Sequence, residues 1–70
     1  MGDVLTEDLS DVTMAEEIAC VKRELAMRER AYPKWVASGR MKPEEAERET
    51  RRMRAVLKRL LIAERAERLL

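Results

Sequence analysis

The chain has 70 residues and a net charge of +1, and charged residues make up 41% of it. That length allows one domain at most, and so short a chain struggles to bury enough surface to stand alone. Small scaffolds recruit disulfides, a metal or a second subunit. The single cysteine, Cys20, rules out an internal disulfide, and the absence of histidine argues against structural zinc.

The near-neutral total hides an asymmetry. Residues 1–20 hold Asp3, Glu7, Asp8, Asp11, Glu16 and Glu17 with no Lys or Arg, while residues 21–70 carry all 15 basic side chains against the other 8 acidic ones. Such a split fits nucleic-acid binding, an acidic partner, or an arm folding onto a basic body, and more simply a solvated surface. No apolar run approaches the ~20 residues needed to cross a bilayer. The Met1-Gly2-Asp3-Val4 start lacks the basic and apolar parts of a signal peptide. A cytoplasmic setting away from membranes is the expectation.

Residues 1–12 read as an acidic, flexible arm, in which Val4, Leu5, Leu9 and Val12 line one side of a short helical turn. Thr13-Met14-Ala15-Glu16 then fits a capping box, so a helix starts near Met14. Its apolar seam is Met14, Ile18, Val21, Leu25, Tyr32 and Trp35, interrupted at Arg28. Pro33 predicts a kink near Ala31–Tyr32 with helix resuming through Ser38; a full break is the alternative. Gly39 suits a left-handed C′ position, and Pro43 suits the first turn of a second helix, followed by Glu44 and Glu45 at its positive end.

That second helix runs to about residue 68, with Ala46, Met53, Val56, Leu57, Leu60 and Ala63 facing the first. Glu44–Arg48, Glu47–Arg51 and Glu64–Arg68 stand at i,i+4 in the favourable order. Ala55, Ile62, Ala66 and Leu69 recur on the opposite face. One partner helix cannot cover both faces, so a second chain or the N-terminal arm is needed. The fold class is therefore all-α: a two-helix hairpin over residues 13–70 with a kinked first helix, assembled as a homodimeric helical bundle. Leu57, Leu61, Ile62, Ala66 and Leu69 are the expected dimer contacts.

Enzymatic chemistry finds little support. The commonest general base, histidine, is missing, and Ser10 and Ser38 have no activating partner. Cys20 lies beside Glu17 and Glu24, which oppose thiolate formation. Glu16/Glu17 and Glu44/Glu45 read as helix-start residues rather than a cation site, and no Gly-rich phosphate loop is present. No reaction, cofactor or metal is expected. Nucleic acid is a secondary reading: the second helix is arginine-rich, yet glutamates are interleaved with its bases, and Asn and Gln are absent throughout. Arg28, Tyr32 and Trp35, with Arg40 in the turn, instead resemble a protein-contact patch, because Arg, Tyr and Trp dominate interface hot spots. The bland alternative makes Tyr32 and Trp35 core residues near the turn. Arg51, Arg54 and Lys58 would steer an acidic partner toward the patch.

The stretch from Glu17 through Ile18-Ala19-Cys20-Val21 and Arg23-Glu24 to Arg28 leads into Tyr32-Pro33, Val36, Gly39 and Met41. Met53, Ala55, Val56 and Leu57 complete the pattern. In that order and spacing the chain resembles a group of small phage- and prophage-encoded proteins reading E-I-A-C-V-x-R-E, then Y-P-x-x-V-x-x-G-x-M, then M-x-A-V-L. The resemblance covers residues 17 to about 57; the acidic arm and the arginine-rich end look extended relative to it. It carries over no activity. It implies a phage protein that binds a host protein, such as a defence, pilus or quorum-sensing component, and inhibits or modulates it. A nucleic-acid-binding accessory protein and a subunit of a phage assembly are the alternatives.

Overall fold

The computed structural model describes residues 2–69; Met1 and Leu70, the outer ends of the two expected segments, lie outside the described residues. A single 3₁₀ turn, η1 (Val4–Thr6), precedes two long helices, α1 (Met14–Ala37) and α2 (Pro43–Arg68). There is no strand among the described residues, and the fold is the all-α hairpin expected.

The capping box forms in full. Glu16 N–H donates to Thr13 Oγ1 at 3.1 Å, and Thr13 N–H donates to Glu16 Oε1 at 3.1 Å. These bonds hold the Glu16 carboxyl below the ordinary glutamate value, the Thr13 backbone N–H contributing most. A depressed carboxylate stabilises the fold above its unfolded pKa, and that contribution disappears as pH falls through the folded value. Lowering the pH below the ordinary glutamate range should therefore loosen the start of α1. Glu16→Gln, which can still cap, should flatten this part of an acid titration followed by helicity. An unchanged titration would show that the cap does not respond to charge.

Helix α1 continues through Pro33 to Ala37, so the alternative of a full break is excluded. Proline's fixed φ is compatible with a helix; what is lost is one backbone donor, and the exposed ring has room on the open side. The helix ends in a Schellman motif. Arg40 N–H donates to Trp35 O at 2.9 Å and Gly39 N–H to Val36 O at 3.1 Å, with Gly39 at φ +79°. Any side chain at Gly39 would be strained in that left-handed conformation. Pro43 then opens α2 as its first residue, where a missing N–H costs nothing.

The helices meet along a narrow seam. From α1 it takes Met14, Ile18, Val21, Leu25, Arg28, Tyr32 and Val36; from α2, Ala46, Thr50, Met53, Leu57, Leu60 and Glu64. Steps of four and three alternate along most of both rows, the spacing that lets two helices interlock. Among the described residues, only Ile18 (6% exposed) and Tyr32 (9%) are buried.

Two expectations are corrected here. Val36, not Trp35, continues the α1 seam, because after Tyr32 the step of four points at α2 while the step of three points past it. Val56 faces outward, its place on α2 taken by the neighbouring row of Met53, Leu57 and Leu60. Leu57, expected both on the row facing α1 and among the dimer contacts, is half-buried.

Candidate interaction surfaces

Tyr32 is the wall between two depressions. On one flank of α1, Glu24, Met27, Arg28, Ala31 and Trp35 surround a hollow of about 160 Å³. On the other flank, α1 and the first half of α2 enclose an open groove of about 680 Å³. Its apolar floor comes from Tyr32, Pro33, Val36, Pro43 and Ala46, and Glu29, Glu47, Arg51 and Arg54 stand around it.

The residues of the expected contact patch are thus divided. Arg28, Tyr32 and Trp35 stay together: the two rings lie 5.7 Å apart between centroids, tilted by 43°. Trp35 is 42% exposed, so its indole covers part of Tyr32 while offering a face to solvent. Tyr32 itself belongs to the core. Arg51 and Arg54 lie across α1 on the groove side, Lys58 follows Arg54 by one helical turn on exposed surface, and Arg40 is exposed in the turn.

Arg28 occupies the seam position that an apolar residue would fill. Its Nε donates to Glu24 Oε1 at 3.0 Å, and its Nη1 reaches Glu49 Oε2 on α2 at 3.9 Å. The Glu24 hydrogen bond is the main reason its pKa rises above the ordinary arginine value. Its stem fills the seam while its head stays near the rim, the behaviour expected of a long amphipathic side chain. A second cross-helix link joins Arg54 Nη2 to Glu29 Oε1 at 3.2 Å. Both links are solvent-accessible and contribute modestly.

Met27 and Ala31 were not singled out by the sequence reading. They stand two turns and one turn before Trp35 respectively, at the i, i+4, i+8 spacing that places all three on one flank. Met27 is exposed like Trp35, so the pair forms an apolar ridge beside the Arg28–Glu24 ion pair.

Along α2, acidic and basic side chains are only partly paired. Past Glu47, Glu49 and Glu64 are half-buried beside the seam, while Glu67 is exposed. Glu49 binds Arg52 at 2.9 Å and Glu64 reaches Arg68 at 3.6 Å. The expected Glu44–Arg48 and Glu47–Arg51 pairs are not formed among the described residues. The interleaved glutamates thus neutralise Arg52 and Arg68 within α2, while Arg48, Arg51, Lys58, Arg59 and Arg65 have no ion pair among the described residues.

Cys20 is a free, exposed thiol. Among the described residues there is no group of three metal-capable side chains, and no helix is long and apolar enough to cross a membrane. No family model matches the chain, and neither a curated protein nor a solved structure matches it.

Proposed function

We propose that this chain is a small protein-binding module of phage type, which occupies a surface of a host protein in the cytoplasm and thereby inhibits or modulates it. It performs no reaction and uses no cofactor. The observation that supports this reading is the Met27–Trp35 ridge. Buried Tyr32 braces the indole from behind and the Arg28–Glu24 pair flanks it. A braced aromatic beside an arginine loses little side-chain freedom on binding, which is the character of an interface hot spot. Arg51, Arg54 and Lys58 add positive charge that speeds encounter with an acidic target.

Capture from host lysate, comparing wild type with Met27→Ser/Trp35→Ser, provides the test. Both side chains are exposed, so the double variant should keep its helicity. Expected is a host protein retained by wild type, lost at least tenfold with the variant, and impaired in its own activity when the purified module is added. Equal retention by both proteins would defeat the assignment to this ridge. Enrichment of phage proteins alone would move the role to a phage assembly.

The basic side chains of α2 that have no ion pair among the described residues favour one further reading, a DNA- or RNA-binding accessory protein that uses them. In the same capture, material that disappears with nuclease and falls steeply with salt would support it.

A further inference from the structure

The outer face of α2 and the N-terminal arm are complementary, and neither is covered. Beyond Glu47, that face presents Arg48, Lys58, Arg59 and Arg65, all exposed and without an ion pair among the described residues. Between them run Ile62 and Leu69, 58% and 82% exposed. The arm is the reverse: acidic, without a basic residue, and with Leu5 93% exposed. Its hydrogen bonds are all local. Asp3 accepts from Leu5 N–H, Asp8 accepts from Ser10, and Val12 N–H donates to Leu9 O. Glu7 and Asp11 take part in no side-chain hydrogen bond or ion pair among the described residues.

We propose that the arm of a second copy docks on the outer face of α2, each chain giving an arm and receiving one, so that the protein is a reciprocal dimer. This proposal does not depend on which host target is bound. Three observations carry it. Stacking α2 directly on α2 of a second copy would set one unpaired row of cations against another, whereas the arm supplies both the carboxylates and the apolar side chains that the face lacks. The arm also leaves from the start of α1, while the outer face of α2 points away from α1. A chain's own arm would have to wrap around α2; a partner's arm approaches from outside. Finally, the chain exposes 6201 Å², roughly 1,700 Å² more than the ~4,500 Å² expected of a compact monomer of this mass. A standard interface takes about 800 Å² from each partner, so the surplus accommodates a reciprocal contact with room left for a target.

A charge-swap experiment on the full chain tests this. Wild type should have twice the mass of the chain by light scattering at micromolar concentration, and should dissociate as salt rises. Glu7→Lys/Asp11→Lys and Lys58→Glu/Arg65→Glu should each be monomeric, with hairpin helicity retained, since all four positions are exposed. Mixing the two variants in equal amounts should restore a dimer containing one of each, resolved by native mass spectrometry. A monomeric wild type overturns the proposal, as does dimerisation that persists in either variant alone or is indifferent to molar salt. A mixture that stays monomeric beside a dimeric wild type also overturns it, by showing that the arm does not cross between copies.

Discussion

Tyr32→Ala should abolish the cooperative thermal transition of the hairpin. Only two of the described residues are buried, and Tyr32 is the larger. Truncating a buried aromatic costs roughly 3–5 kcal/mol. At 0.05–0.15 kcal/mol per residue, a chain of this length has roughly 4–10 kcal/mol of stability in all. Tyr32 also lines both the hollow and the groove, so its loss joins two open depressions through the middle of the seam. Tyr32→Phe should melt close to wild type, because the ring rather than the hydroxyl fills the seam. Circular dichroism melts of both variants supply the check. A cooperative transition near the wild-type temperature in Tyr32→Ala would mean that the seam is not what holds the helices together.

The second large effect has the opposite sign. Pro33→Ala should raise the urea midpoint, with a gain of about 2 kcal/mol. Proline inside a helix costs roughly 3 kcal/mol through its missing donor and the clash with the preceding turn. Part of that is returned, because proline restricts the unfolded chain by about 0.4–1 kcal/mol relative to a more flexible residue. The ring is exposed, so removing it uncovers little. A fall in midpoint would show that the ring, as part of the groove floor, contributes more through packing than it costs in the backbone. The same variant is informative for function. If the groove takes part in binding, the stabilised protein should bind more weakly.

Much of the hairpin was legible before any coordinates. The capping box at Thr13, the left-handed Gly39 and the opening Pro43 each have a local physical cause, and local causes survive folding. The seam from Met14 to Leu25 was also readable, because its apolar residues recur at steps of four and three with no competing neighbour. The reading failed where two apolar residues lay within reach of the same turn. Trp35 and Val36 are three and four residues beyond Tyr32, and periodicity alone does not choose between them; the direction of the partner helix does. Val56 and Leu57 posed the same ambiguity on α2. Arg28 was seen as an interruption of the seam, although a seam so near solvent accommodates an arginine stem when Glu24 and Glu49 receive its head. The charge pattern of α2 was legible only in part: Glu49 and Glu64 take up Arg52 and Arg68, as interleaving suggests, but the order of residues did not show which arginines are left without a partner. Met27 was overlooked because one exposed methionine attracts no notice until Trp35 is placed beside it.

The Schellman turn has a consequence for the order in which this molecule assembles. It brings the end of α1 and the start of α2 together across a very short loop, so the first interhelical contacts close at small entropic cost. Each later contact, such as Glu29 with Arg54 at a separation of 25 residues, adds to a zipper that runs away from the turn and finishes where Met14 meets the end of α2. Proteins of such topology fold fast, and the last teeth to close are the first to reopen. The open end is also where the acidic arm departs and where the uncovered Ile62 and Leu69 lie. Anything that clasps that end closes the zipper at its weakest point, so occupancy there would govern the lifetime of the whole hairpin.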